Sequence, residues 1–184
     1  MTWNVVARRI RVPLGFLLAV LYLWLAHPTL GSLVGGSAIA AAGLAVRALA
    51  SGYVRKNEDL ATSGPYAYTR NPLYLGSIVI AAGFAVTARS WVVVVVFGVM
   101  FLAIYLPVIR SEEAFLRQRF PGFAAYERRV PRLLPRFGSL LARSQSSENA
   151  FSRELYVKHH EYEALAGTLA MIALLAIKLL WFKR

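Results

Sequence analysis

The sequence predicts an all-α, polytopic membrane protein: a bundle of five transmembrane helices with a cytoplasmic amphipathic segment between the fourth and the fifth. Hydrophobic residues make up 58% of the 184 residues and charged residues only 16%, whereas an ordinary soluble domain carries about a quarter charged residues. The apolar residues also gather in long runs. Such runs are typical of membrane helices, because crossing a bilayer requires about 20 consecutive helical residues. A chain of this length usually forms one domain, so we expect a single membrane domain over residues 1–184.

Five apolar segments have the length and composition of membrane spans. They cover residues 12–30, 33–54, 73–88, 91–109 and 164–181. The third and fourth share a tight turn at Ala88-Arg89-Ser90, so these two should form a helical hairpin. Glycine and alanine dominate the second span, which permits close helix packing. The first span follows three arginines but precedes His27-Pro28 rather than a cleavage site, which favours a retained span over a signal peptide.

Basic residues predict the orientation. Sixteen of the 21 lysines and arginines lie in the N-terminal tail, the loop after the second span, or the segment from Arg110 to Lys158. Because cytoplasmic loops are enriched in lysine and arginine, we expect the N-terminus inside and the C-terminus outside. The small size and the Ala- and Arg-rich composition favour a bacterial inner membrane. The net charge is +12, and the basic residues flank the apolar runs. This position indicates contact with anionic lipid headgroups and not with nucleic acid.

The stretch after the fourth span mixes aromatic residues with charges, which is typical of a helix on the membrane face. Prolines at three points interrupt it, so part of it should form a loop packed on the inner face. The absence of cysteine excludes disulfides, catalytic thiols and thiolate metal sites. His159 and His160 precede the fifth span, but adjacent histidines face different sides of a helix, so we expect a solvated pair and no metal site.

The first motif with chemical potential is SGPYAYTRNPLYLG, residues 63–76. Gly64-Pro65 predicts a turn, and Asn71 before Pro72 predicts a capped helix start. One interpretation is a structural helix entrance with interfacial tyrosines. The other is a small-ligand pocket, because tyrosines and an arginine at a helix N-terminus suit an anionic group. Spacing alone leaves both open.

The second motif is Arg110-Ser111-Glu112-Glu113, at the inner end of the fourth span. Glu113 can pair with Arg110 and Arg117 on its own helix, which would be a purely structural role. Glu112 has no such intrahelical partner and could hold a ligand ammonium.

Arg47 lies inside the second span, where an arginine is costly. It either faces the bundle interior or a polar cavity, or it reaches the inner surface beside Arg55 and Lys56. The sequence does not decide between the two.

Taken in order, these motifs resemble a known family. The run GPYAYTRNPLYLG, a hydrophobic hairpin, and RSEEAFLRQRFPGFAAYERRVPRLLP are similar to isoprenylcysteine carboxyl methyltransferases and the related phospholipid N-methyltransferases. The resemblance covers residues 47–136. It implies methyl transfer from S-adenosylmethionine to a lipid-like or prenylated acceptor, with S-adenosylhomocysteine as product.

The resemblance also implies a site. The cofactor-binding residues would be Tyr66, Arg70, Asn71, Pro72, Tyr74, Leu75, Gly76, Glu112, Glu113, Tyr126 and Arg132, and the catalytic residues would be Arg110, Glu113 and Asn71. Many family members carry histidine at the position of Asn71, and asparagine cannot titrate. An amine or hydroxyl acceptor would therefore need a base elsewhere, such as Glu112 or Glu113. The resemblance does not account for the fifth span.

Two other functions fit part of the pattern. Membrane sterol reductases, which use NADPH, have a similar Arg-x-x-x-Tyr-x-Gly turn and a closing Val-Pro segment. A non-catalytic lipid-binding membrane protein would use the motifs for structure alone. The paired glutamates favour methyl transfer, but the sequence leaves the acceptor and the oligomeric state open.

Overall fold

The computed structural model describes residues 15–55, 58–136 and 151–181, and within these ranges every regular element is helical. In chain order the helices are α1 (Gly15–Leu25), α2 (Leu30–Ser51), a 3₁₀ turn (Gly64–Ala67), α3 (Pro72–Ala88), α4 (Trp91–Arg119), α5 (Phe123–Arg129), α6 (Arg153–Lys158) and α7 (Glu161–Trp181). The start of the first predicted span, Lys56 and the chain termini lie outside the described residues.

In the described part of the chain, three helices are long and apolar enough to cross a membrane: α2, α4 and α7. The apolar helices α1 and α3 are shorter, and the 17 residues of α3 span about 26 Å at 1.5 Å per residue. The predicted all-helical membrane class is confirmed, whereas the count of five spans stays a prediction.

Some helices begin or end at other residues than predicted, because capping side chains determine where a helix starts. Helix α2 begins at Leu30, ahead of the predicted start, because Thr29 and Ser32 form a reciprocal capping box. The predicted α3–α4 hairpin is present, with Arg89 in the left-handed conformation (φ 52°) between the two helices.

Helix α4 does not stop at Ile109, the predicted end of the span, but continues to Arg119. Its middle contains a π-helical stretch, Phe101–Tyr105, in which Leu106 N–H donates to the Phe101 carbonyl. Pro107 follows it after one residue, Leu106. A proline inside a helix has no N–H to donate and crowds the preceding turn. The wider π turn accommodates the proline, so α4 continues and carries its two glutamates beyond its apolar part.

Helices α2 and α3 pack through glycines. A Cβ on Gly43 would lie 2.7 Å from both the Gly76 carbonyl oxygen and the Ile80 backbone nitrogen, and a Cβ on Gly36 would lie 2.4 Å from the Gly83 oxygen. Small residues let membrane helices approach until their backbones touch. The close helix packing that was predicted for the second span is therefore the contact between α2 and α3.

Replacing Gly43 by alanine should therefore destabilise the α2–α3 pair. The atoms in the way are backbone atoms that cannot rotate aside, and overpacking of this kind costs about 1–3 kcal/mol. The measurement is thermal unfolding in detergent, followed by circular dichroism. The matched control is Gly35→Ala on the same helix, where no described atom lies within 4 Å. Equal melting temperatures for the two variants would contradict this packing.

Charged residues fasten α7 to the bundle at both ends. At one end, Lys178 Nζ donates to the carbonyls of Trp24 (3.3 Å) and Ala26 (2.7 Å), where α1 ends. At the other end, Glu161 is buried and accepts two bonds from Arg47, from Nε (2.9 Å) and from Nη2 (2.8 Å). Arg47 therefore faces the bundle interior, and the alternative, that it reaches the surface beside Arg55, is wrong.

The aromatic side chains of the predicted amphipathic segment turn toward the protein. Phe123 (1% exposed), Tyr126 and Val130 form a buried cluster, packed against Leu60 and Leu116. Helix α5 thus lies against the C-terminal part of α4, and its contact with a lipid surface stays a prediction.

Candidate functional site

A cavity of about 250 Å³ lies between the loop after α2, the start of α3 and the C-terminal part of α4. We call it the polar cavity because Arg70, Glu112 and Glu113 lie in its wall. Both sequence motifs contribute to its wall, although they are some forty residues apart in the chain. The lining residues are Val54, Arg55, Asp59, Leu60, Ala61, Tyr66, Arg70, Asn71, Pro72, Leu73, Tyr74, Glu112, Glu113, Phe115, Leu116, Phe123 and Tyr126.

The first motif folds as a turn that leads into α3. Gly64 has a φ of +56°, and a Cβ there would lie 2.8 Å from the Tyr53 ring, so this position requires glycine. Pro72 occupies the first turn of α3, as predicted. Asn71 holds the N-cap position, but its side chain makes no capping bond. Its amide Nδ2 donates instead to Glu113 Oε1 (3.0 Å) and to the Arg132 carbonyl (3.1 Å).

Glu113 joins three parts of the chain and is only 3% exposed. Its Oε2 accepts from Arg132 Nε (2.9 Å) and pairs with Nη2 (2.8 Å), while Arg70 Nε lies 3.6 Å from Oε1. The intrahelical partners expected for a structural role are wrong: Arg117 pairs with Glu127 instead, at 2.6 Å. A buried carboxylate needs several donors, and tertiary partners supply them.

The segment 131–136 lies across the first motif. Arg70 N–H donates to the Pro131 carbonyl (2.9 Å), and Arg136 N–H donates to the Tyr68 carbonyl (3.1 Å). The Thr69 hydroxyl donates to the Arg132 carbonyl at 3.1 Å. These bonds fix residues 131–136 as a cover beside the cavity.

Glu112 and Arg70 are two charged side chains of the cavity wall. Glu112 is exposed, and its Oε1 accepts a hydrogen bond from the Tyr74 hydroxyl at 3.0 Å. Arg70 Nε is buried and has no hydrogen-bond partner among the described residues. Glu113 Oε1 lies 3.6 Å from this nitrogen, so the Arg70 guanidinium faces a carboxylate inside the wall. The cavity thus presents the Glu112 carboxylate, with the Arg70 side chain held in its wall.

The tyrosines of the site act as neutral hydrogen-bond donors. Burial raises the pKa of the Tyr66 phenol, and burial likewise raises the pKa of Tyr126. The Tyr126 hydroxyl donates to the Tyr66 carbonyl at 2.7 Å. Nearby, the hydrogen bond from Arg117 lowers the pKa of the Glu127 carboxyl.

The structure brings most of the predicted site residues together. Those that line the cavity are Tyr66, Arg70, Asn71, Pro72, Tyr74, Glu112, Glu113 and Tyr126. Arg132 reaches Glu113 from the cover. Leu75, Gly76 and Arg110 are not part of the described lining: Gly76 packs against Gly43 and Arg47, and Arg110 is exposed.

One wall of the cavity was not predicted from the sequence. Leu60, Phe115 and Leu116 line it as apolar side chains, with Asp59 and Arg55 at its edge. Leu60 belongs to a loop without a motif, so no sequence signal singles it out. Phe115 and Leu116 were assigned to an amphipathic face, and their one-turn spacing from Glu112 and Glu113 was the available clue.

Comparison with known proteins identifies the family. The sequence profile described as phospholipid methyltransferase matches residues 10–122, which include both motifs and the hairpin between them. This chain belongs to the phospholipid methyltransferase family. The resemblance predicted from the sequence is thereby confirmed at family level.

Individual members and relatives cover only part of the chain. It is 43% identical over 82 residues (45% of this chain, 38% of the relative) to the cobalt-zinc-cadmium resistance protein CzcN of Cupriavidus metallidurans. It is 38% identical over 93 residues (50% and 43%) to the nickel-cobalt-cadmium resistance protein NccN of Alcaligenes xylosoxydans xylosoxydans. It is 29% identical over 107 residues (58% and 45%) to the protein-S-isoprenylcysteine O-methyltransferase of Schizosaccharomyces pombe.

The chain thus spans less than half the length of each of these curated relatives. No solved structure matches it significantly. In the part of the chain that the structure describes, no three His, Cys, Asp or Glu side chains are grouped to hold a metal ion. The metals in two of the relatives' names therefore carry no argument for this site.

Proposed function

We propose that this chain is an integral membrane methyltransferase that uses S-adenosylmethionine to methylate a lipid-like or prenylated acceptor. The observation that carries the proposal is that Glu112 and Arg70, two side chains of opposite charge, line one cavity at the start of one membrane helix and the end of the next. Membership of the phospholipid methyltransferase family supports the reaction type.

The cavity suits the charges of this cofactor. S-adenosylmethionine supplies an electrophilic methyl group on a sulfonium, and it also carries an ammonium, a carboxylate and an adenine. Arg70 supplies a positive charge in the cavity wall for the carboxylate, and Glu112 is placed to pair with a cation. Leu60, Phe115 and Leu116 offer an apolar slot for the adenine. The volume of about 250 Å³ lies near the lower end, about 300 Å³, of ordinary ligand pockets.

An apolar cavity of about 570 Å³ between α1, α3 and α4 is the proposed site of the acceptor chain. It follows α3 from Ser77 to Ala85 and α4 from Val94 to Tyr105, about 12 Å and 16 Å of helix respectively. Its walls are almost entirely hydrocarbon and aromatic, so it suits a prenyl or alkyl chain that enters from the bilayer. Methyl transfer is an in-line displacement, for which alignment and exclusion of water supply most of the acceleration.

Proton transfer, where the acceptor needs it, falls to Glu112 in this proposal. Asn71 cannot titrate, and its amide is committed to Glu113 and the Arg132 carbonyl. Glu113 is held by two arginines, which makes it a positioning group. Glu112 is exposed and bonded only to Tyr74 among the described side chains, so it can accept a proton from an amine or hydroxyl. An acceptor that is already an anion would need no base.

The excess of basic residues at this end of the helices supports a cytoplasmic entrance for the cofactor, with the N-terminus inside and the C-terminus outside. We place the protein in a bacterial inner membrane, with anionic headgroups beside the exposed arginines of α5. Arg110 is exposed near the same surface, and its catalytic role stays a prediction from the resemblance.

Replacing Glu112 by glutamine should weaken S-adenosylhomocysteine binding by at least about tenfold, because one charge-assisted contact is lost. The measurement is isothermal titration calorimetry of the purified protein in detergent. Glu154→Gln, an exposed carboxylate on α6, is the matched control and should bind like the wild type. Absence of S-adenosylhomocysteine binding to the wild type, together with thermal stabilisation by NADPH, would replace this proposal with the reductase alternative.

A further inference from the structure

The polar and the apolar cavities are separate, and two tyrosines meet between them. Among the described residues, no side chain lines both cavities. Tyr74 lines the polar cavity and Tyr105 lines the apolar one. Their ring centroids are 6.1 Å apart and the ring planes are nearly perpendicular, at 84°. This is the favourable edge-to-face arrangement of an aromatic pair.

Each ring is held from its own side. The Tyr74 hydroxyl donates to Glu112 Oε1 at 3.0 Å, which ties this ring to the polar site. The Tyr105 ring stacks on Phe101, with centroids 6.5 Å apart and an interplanar angle of 16°. Phe101 and Tyr105 begin and end the π-helical stretch of α4, and such stretches are frequent at functional sites.

We infer that the contact between Tyr74 and Tyr105 is a partition between the two cavities, and that Tyr105 determines whether an apolar chain reaches the polar cavity. The names of the two ligands rest on the proposed function, whereas the partition itself rests on the geometry. Tyr105 is 40% exposed, while Tyr74 is bonded to Glu112. Tyr105 is therefore the ring that turns aside when the reacting end of an acceptor passes. Tyr105 is a specificity-determining residue, because it limits the width of that passage.

The test uses a hexadecyl alcohol with a photoreactive diazirine beside the hydroxyl, applied to the full chain in detergent. In the wild type, cross-links mapped by mass spectrometry should fall on the residues of α3 and α4 that line the apolar cavity. In Tyr105→Ala, labelling of residues 71–74 should rise about tenfold, the gain expected when two further methylenes are buried. Tyr105→Phe retains the ring and should give the wild-type pattern.

Tyr105→Leu, which also lacks the ring but keeps an apolar side chain, repeats the measurement if the alanine variant does not fold. The partition would be overturned if residues 71–74 were labelled equally in the wild type and in a folded variant that lacks the Tyr105 ring. S-adenosylhomocysteine titration of the same samples separates the two proposals. If the wild type does not bind S-adenosylhomocysteine, the cofactor assignment is wrong. The cross-linking result still shows whether the two tyrosines separate the cavities.

Discussion

Glu113→Ala is expected to lower the free energy of unfolding by about 3 kcal/mol and to detach the cover formed by residues 131–136. Removing one partner of a buried ion pair leaves the other charges uncompensated. Here Arg132 loses its carboxylate partner, Arg70, which is 11% exposed, keeps only Glu127, and the Asn71 amide keeps only the Arg132 carbonyl. Because Arg132 is 39% exposed, water relieves part of the loss, and we place the cost at the low end of the usual range.

Two measurements check the Glu113 prediction. Denaturant titration in mixed micelles gives the change in global stability, and hydrogen exchange gives the local opening at the Arg70 and Arg136 amides, which bond between the cover and the turn. Glu112→Ala, one residue away but exposed and bonded only by Tyr74, is the control and should stay within about 0.5 kcal/mol of the wild type. If the two alanine variants were equally stable, Glu113 would not hold the site together.

The second large effect concerns the pair that links α2 to α7. Arg47→Leu and Glu161→Leu should each cost about 3 kcal/mol, because each leaves a charge without its partner at a site where both side chains are largely shielded from water. The double replacement should recover most of that loss, since two leucines need no hydrogen-bond partners. Ser77, whose Oγ lies 2.6 Å from Arg47 Nη1, can then bond to the Leu73 carbonyl alone, as it already does at 3.0 Å.

A double-mutant cycle measured by unfolding in micelles isolates the coupling between the two residues. The exposed pair of His160 and Glu163, 3.7 Å apart, is the comparison, and Glu163→Leu should change stability by less than about 0.5 kcal/mol. Additive losses in the Arg47 and Glu161 cycle would show that the two side chains act independently, contrary to the structure.

The parts of the fold that depend on neighbours in sequence were predictable. The hairpin at Arg89 follows from two apolar runs and a short turn, and Pro72 marks the start of α3 by its own backbone chemistry. The partners of Arg47 and Glu113 were not predictable. Glu161 is 114 residues from Arg47, and Glu113 had two plausible partners on its own helix that lost to Arg70 and Arg132. Which partner a charged side chain binds depends on the distances between residues in the folded protein. The periodicity of the sequence does not contain those distances.

In the candidate site, too, some residues were predictable from the sequence and others were not. The polar residues were recognisable because turn, cap and paired carboxylates stand together in the chain, in an order that resembles a family. The apolar wall at Leu60 and the tyrosine contact at Tyr105 were not recognisable, because a leucine in a loop and a tyrosine in a membrane helix have ordinary structural roles. Arg110 is the opposite case: its place in a motif suggested the site, its side chain is exposed and is not part of the described cavity lining, and its catalytic role stays a prediction.

The double attachment of α7 has a consequence for how that helix sits in the bilayer. Most of its side chains face lipid, and lipid offers an apolar helix almost the same environment after a small vertical displacement. Lys178 at one end and Glu161 at the other remove that freedom. Sliding by a single turn, about 5.4 Å, would separate Glu161 from Arg47 and Lys178 from the carbonyls at the end of α1 at the same time. The axial position of α7 is therefore fixed by a charged side chain near each end, together with Leu175, which is fully buried in the core.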